Sequence, residues 1–96
     1  MEKIGNVLLK YLKDHGLYGR VLEYESVKIY NREILEKYPQ LKPSHASDIY
    51  EGTIKISVPD SVLNYEVFLK KHDIIESING ILGRKIVKDL IVRIEG

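Results

Sequence analysis

Apolar residues recur at three- and four-residue steps from the start of the chain. Ile4, Val7, Leu8, Tyr11 and Leu12 share one helical face, and Gly16 follows as a stop signal, so the pattern predicts a helix over 2–15. Leu17 to Tyr24 predicts a short second helix. Val27, Tyr30, Ile34 and Tyr38 carry the same spacing onward until Pro39, which ends it because proline disfavours helical dihedrals in the residue before it. The stretch PQLKPSHAS that follows holds two prolines and no period, and predicts a loop over 39–48.

Beyond the loop the period changes. Ile49 and Tyr50 predict a short strand, with a turn at Glu51-Gly52. Thr53 to Val58 alternates strictly, with Ile54, Ile56 and Val58 on one face, and predicts a half-buried strand. Pro59-Asp60-Ser61 then opens a helix, because Asp60 or Ser61 can accept from its free N–H groups. Val62, Tyr65, Phe68 and Leu69 give this helix an apolar stripe. The stripe lapses at Lys70-Lys71-His72-Asp73 and resumes with Ile74, Ile75, Ile78, Ile81 and Leu82, which fits one long helix or two with a joint near residue 72. Lys85 to Ile94 is rich in β-branched residues and predicts the last strand.

The predicted order is helices, two strands, a long helix and a strand (αα-ββ-α-β). That describes an α+β domain with a three-stranded sheet covered on one face by helices. It forms a single domain over 1–96, helical over 1–38, a loop over 39–48 and strand–helix–strand over 49–96.

Composition narrows the function. With 15 Lys and Arg against 14 Asp and Glu, the net charge is +1, so the chain is not a strongly basic coat for nucleic acid, and only a local basic patch remains open. The absence of cysteine excludes disulfides, thiol nucleophiles and thiolate-bound metal. The N-terminal MEKIGNVLLK has no apolar core of a signal peptide, and no apolar run approaches the ~20 residues of a membrane span. The expected setting is cytoplasmic, with no membrane partner.

Catalytic patterns are missing. His15, His45 and His72 fall on different elements, and in His72-Asp73 the two side chains are helix neighbours that do not face each other. No zinc-protease, nucleophile-elbow or phosphate-loop spacing occurs. The chain reads as a non-enzyme needing no cofactor or metal.

The stretch Ile78-Asn79-Gly80-Ile81-Leu82-Gly83-Arg84-Lys85-Ile86 resembles the I-x-G-x-x-G-x-x-I loop of KH domains, which clamps a nucleic-acid backbone. Its two middle residues, Ile81 and Leu82, continue the apolar stripe instead of being polar, and a strand pattern follows directly. Gly83 is therefore read as a left-handed helix cap and Gly80 as a tolerated interior glycine.

The second half of the chain also resembles the DciA-type proteins, bacterial factors tied to the replicative DNA helicase. The similar segments are Glu51-Gly52-Thr53-Ile54-Lys55-Ile56, Val58-Pro59-Asp60-Ser61, Ile74 through Gly83, and Val87-Lys88-Asp89-Leu90-Ile91-Val92-Arg93. The first half is similar more loosely, with Tyr30 where the family has tryptophan, Leu35 where a glycine is usual, and Leu63 at a second tryptophan-type position. Tyr30, Gly52, Asn79, Gly83, Asp89 and Leu90 are the residues that carry the pattern. The resemblance implies a KH-like fold without a working glycine clamp, docking onto the replicative DNA helicase to help load or regulate it, and weak contact with single-stranded DNA.

Lys70, Lys71, Arg84, Lys85, Lys88 and Arg93 are the candidate phosphate-contacting residues. Of the seven tyrosines, Tyr11, Tyr30, Tyr38 and Tyr65 sit on apolar stripes and read as core, whereas Tyr18, Tyr24 and Tyr50 read as exposed stacking candidates. A generic protein-interaction domain and a stand-alone RNA-binding protein are the alternatives.

Overall fold

The computed structural model describes residues 18–95, so the helix expected over 2–15 lies outside the described residues. The elements in order are α1 (Tyr18–Ile29), a π-helical turn (Tyr30–Ile34), α2 (Leu35–Lys37), a 3-10 turn (Pro39–Leu41), β1 (His45–Tyr50), β2 (Thr53–Val58), α3 (Ser61–Leu82) and β3 (Asp89–Ile94). This is the expected small α+β domain, with a long helix before the last strand. The sheet order is β1-β2-β3, antiparallel between β1 and β2 and parallel between β2 and β3. A parallel neighbour needs a crossover, and α3 supplies it.

The two helices expected between residues 17 and 38 are one rod. Ile29 and Leu35, which flank the π-turn, both keep right-handed helical dihedrals, and the Leu35 N–H reaches back five residues to the Tyr30 carbonyl. The widened turn buries Tyr30 and Ile34 and aims Asn31 at β1. Asn31 accepts from the Ala46 N–H at 2.8 Å and donates to the Ala46 carbonyl at 2.9 Å, pairing with the strand as a neighbouring backbone would. The rod ends where expected, at Tyr38 (φ −123°, ψ 80°) before Pro39.

The loop expected over 39–48 is shorter than its composition implied. Pro39 to Leu41 forms the 3-10 turn, and β1 begins at His45. A bulge between Ala46 and Asp48 shifts the register, so the buried residues are Ala46 and Ile49, three apart. A bulged strand loses its two-residue alternation, which is the signal that sequence reading uses. The turn at Glu51-Gly52 is as expected, and both residues have positive φ (51° and 82°), the geometry that matches strand twist in a two-residue hairpin. Only glycine fits the second position, since a Cβ there would sit 3.1 Å from the Ile86 carbonyl oxygen.

α3 is unbroken from Ser61 to Leu82, with no joint near residue 72. The Asp60 side chain accepts from the Leu63 N–H at 2.9 Å, and Gly83 closes the helix in the left-handed conformation (φ 73°), both as expected. Its inward face is Leu63, Val67, Ile74 and Ile78. These pack with Tyr30 and Ile34 from the rod and with Ile54, Ile56 and Leu90 from the sheet in one cluster. Each fully buried aliphatic side chain contributes about 1.5–3 kcal/mol. β3 starts at Asp89, four residues later than expected, because 83–88 is a connector held by Asn79.

Candidate functional site

The expected basic patch does not assemble. Lys71 pairs with Asp89 at 2.5 Å across the α3–β3 interface. Lys70, its neighbour on the helix, points elsewhere and lies 5.6 Å from the centre of the Tyr38 ring. Arg84 stacks over Tyr18 at 5.1 Å. Lys85 and Lys88 sit on the connector, not on a strand, and line an open cleft of about 740 Å³ with Arg20, Glu23 and the Glu51-Gly52 turn. Arg93 lies on β3 and lines a separate depression of about 420 Å³ on the open face of the sheet, with Asp48, Tyr50, Lys55 and Ile91.

The Lys85–Lys88 cleft has a rigid floor. The Gly52 N–H donates to Glu23 Oε2 at 2.9 Å, and the Gly52 carbonyl accepts from the N–H groups of Lys88 (2.8 Å) and Asp89 (3.3 Å). The connector is fixed from its other side by Asn79. Its Oδ1 accepts from Ile86 (3.0 Å) and Val87 (2.8 Å), and its Nδ2 donates to the Val87 carbonyl at 2.9 Å. Three cations, Arg20, Lys85 and Lys88, and two acids, Glu23 and Glu51, therefore line a cleft whose backbone cannot shift easily, and Glu23 is already engaged by the Gly52 N–H. Arg20 and Glu23 were not singled out in the sequence, because nothing local to α1 indicates that it meets the β1–β2 turn.

The residues of the family pattern hold structural positions. Tyr30 is fully buried, its hydroxyl 2.8 Å from Ser44 Oγ, and Ser44 donates in turn to the Leu41 carbonyl at 2.6 Å. Burial pushes the Tyr30 phenol above its ordinary value, partly offset by the Ser44 hydrogen bond. Leu90 is in the core, and Gly52, Asn79 and Gly83 shape the turns just described. Asp89 caps its own strand by accepting from the Leu90 N–H at 2.9 Å.

Asp89 also gives a pH prediction. The hydrogen bond from Lys71 holds its carboxyl below the usual value, with desolvation acting the other way and the Leu90 N–H adding to the lowering. A carboxyl lowered in the folded state stabilises the fold fully above its unfolded value near 4, and that contribution is lost as pH falls through the lower folded value. The Lys71 and Asp89 side chains are 35% and 51% exposed, so solvent screening limits the effect to under ~1 kcal/mol. Urea midpoints measured from pH 7 to pH 3 should fall less steeply for Asp89→Asn than for the parent chain. Parallel curves would show that the pair contributes nothing.

The largest departure from expectation is on α3. Val62, Tyr65, Phe68 and Leu69 were expected to face the core, yet they are 71%, 61%, 64% and 56% exposed. Tyr65 thus leaves the list of core tyrosines, while Tyr30 is buried, Tyr38 is half-buried, Tyr24 and Tyr50 are exposed as expected, Tyr18 is half-buried instead of exposed, and Tyr11 lies outside the described residues. The first half of α3 is apolar on both sides. Its inner side is satisfied by the sheet and its outer side is covered by nothing among the described residues.

His45 and His72 are exposed on separate elements, and neither ring is hydrogen-bonded or ion-paired to any described residue. Among the described residues no cluster of three or more His, Asp or Glu side chains is placed to hold a metal ion, and no helix is long and apolar enough to cross a membrane. The surface presents an apolar helix face, a cleft lined by three cations and two acids, and an open sheet face carrying exposed Tyr50. Comparison of the chain with protein-family models finds no match, and comparison with curated proteins finds none either.

Proposed function

We propose that this chain is a non-enzymatic binding module of the DciA type, a KH-like domain that docks on the replicative DNA helicase and touches single-stranded DNA weakly. The observation that carries the docking is the exposed outer face of α3, where four large apolar side chains lie within three turns. Contiguous apolar surface of this kind marks interaction sites in soluble domains. The KH-like reading without a clamp is supported by α3 running through Gly80 and by Gly83 acting as its cap, which leaves no loop between two helices to hold a backbone. DNA contact is assigned to Arg20, Lys85 and Lys88 in the cleft.

The test is a titration of the purified chain against the replicative helicase of its own organism, with and without single-stranded DNA. Micromolar or tighter binding is expected, and no binding at high concentration would sink the helicase reading. For the DNA contact, Lys85→Glu with Lys88→Glu should weaken binding several-fold. The pair should also reduce the salt slope by about 1.4, since each single-strand phosphate contact contributes about 0.7. Unchanged affinity would remove the cleft from the proposal. A second reading, RNA binding, is favoured by Tyr50 beside Lys55 and Arg93 on the open sheet face, where a base can stack next to cations. Tighter binding of RNA than of DNA in the same salt titration would select it.

A further inference from the structure

We infer that the outer face of α3 takes an amphipathic helix of a protein partner whose apolar stripe is flanked by lysine or arginine. This rests on the docking role proposed above and adds the chemistry of what docks. Val62, Tyr65 and Leu69 stand at i, i+3 and i+7, the spacing by which one helix anchors another, and Phe68 widens the stripe by one position. Two of the four side chains are aromatic, the residue type that carries most binding energy at interfaces. A surface helix ordinarily turns polar groups outward, so apolar residues on both sides of Ser61–Leu69 mark a segment built to be covered twice.

The charges beside the stripe select the partner. Glu66 lies between Val62 and Leu69 on one flank, Asp73 follows it one heptad later, and Glu76 comes one turn beyond. None of the three is in an ion pair among the described residues. The nearest cations on the helix are drawn elsewhere, Lys70 to the Tyr38 ring and Lys71 to Asp89. The border is therefore acidic although the chain as a whole is at +1. Phosphate backbones are repelled by such a border. A second copy fits no better, because antiparallel pairing of the stripe about a two-fold axis through its middle sets Glu66 beside Glu66 of the other copy. A helix with basic flanks meets both the apolar stripe and the acids.

The test uses two synthetic peptides of about 18 residues, long enough to form helix, sharing one leucine stripe and differing only in flanks of lysine or of glutamate. Fluorescence anisotropy at physiological salt should show the lysine peptide binding at least tenfold tighter than the glutamate peptide. Phe68→Ser with Leu69→Ser should weaken it tenfold or more, while Glu66→Lys with Asp73→Lys should reverse the preference. All four positions are on the solvent side of α3, so circular dichroism should show the variants folded. Equal affinity for both peptides, no binding at millimolar concentration, or binding that survives Phe68→Ser with Leu69→Ser would overturn the inference. So would a doubled mass in sedimentation that these substitutions abolish, since that gives the face to a second copy. The peptide result stands apart from the helicase titration: a chain that ignores the helicase yet discriminates the peptides keeps this face and loses only that partner.

Discussion

Tyr30→Ala is expected to remove about 3–5 kcal/mol of folding stability, the range for truncating a large buried aromatic. The ring is fully buried where the rod, the sheet and the turn before β1 meet. A domain of this size has only about 5–15 kcal/mol in total, so the variant should be partly unfolded at room temperature or nearly so. The hydroxyl accounts for a small part of this. Tyr30→Phe loses one hydrogen bond to Ser44, but Ser44 keeps its bond to the Leu41 carbonyl, so no buried group is orphaned and the cost should be about 1 kcal/mol. Urea unfolding followed by circular dichroism tests both. The midpoint should drop slightly for phenylalanine and severely for alanine, with the slope unchanged in the first. A large loss from Tyr30→Phe would mean that the hydroxyl, not ring packing, organises this corner. The same substitution separates fold from function, since Tyr30 has no exposed surface through which to meet a partner.

How far the sequence carried this structure depends on what each signal reports. Local backbone chemistry was readable: proline after Tyr38, aspartate before Ser61, and glycine after Leu82 each mark an end by a constraint that acts within a few residues. β2 was readable because its sequence alternates strictly and Ile54, Ile56 and Val58 are all buried on one face, although Ser57 on the other face is buried too. β1 was not, because the bulge beside Ala46, which Asn31 supports from fifteen residues earlier, sets the buried residues three apart. On α3 the period was right and the phase wrong. Two stripes in its first half are apolar, and a short window cannot tell which faces inward. Followed through the whole helix, the phase resolves: Leu63 and Val67 continue into Ile74 and Ile78, while Val62, Tyr65 and Leu69 run into His72, Asp73 and Glu76.

The candidate cations are spread over several surroundings for a related reason. Lys85, Lys88 and Arg93 were placed on one strand, but the strand begins at Asp89 and leaves the two lysines on the connector. Lys71 looked free because its partner, Asp89, is remote in sequence. Side-chain charge is visible in a sequence, whereas the neighbours that spend it are set by tertiary contacts. The docking face and the cleft each became visible only when packing assigned an inside and an outside.

Asn79→Ala is the second substitution expected to act strongly, and it reaches from stability to binding. Its side chain supplies three hydrogen bonds to the connector, two accepted from Ile86 and Val87 and one donated to the Val87 carbonyl. Val87 is buried, so its N–H and carbonyl lose partners where water does not replace them. At roughly 1 kcal/mol for each bond and more for an orphaned buried group, the loss should be about 3 kcal/mol. Asn79→Asp keeps the two accepted bonds but sets a carboxylate oxygen against the Val87 carbonyl, and should fall between parent and alanine. The decisive reading is local. Amide exchange at Ile86 and Val87 should quicken in Asn79→Ala more than at Ile54 or Ile56 in β2, and unchanged protection at Ile86 and Val87 would show that the connector holds itself without Asn79. Lys85 and Lys88 ride on this connector, so its loosening should weaken any phosphate contact made in the cleft while leaving peptide binding at the outer face of α3 unaltered. One substitution thereby tests whether the two surfaces are independent, as their positions on opposite halves of the chain's last helix and its connector require.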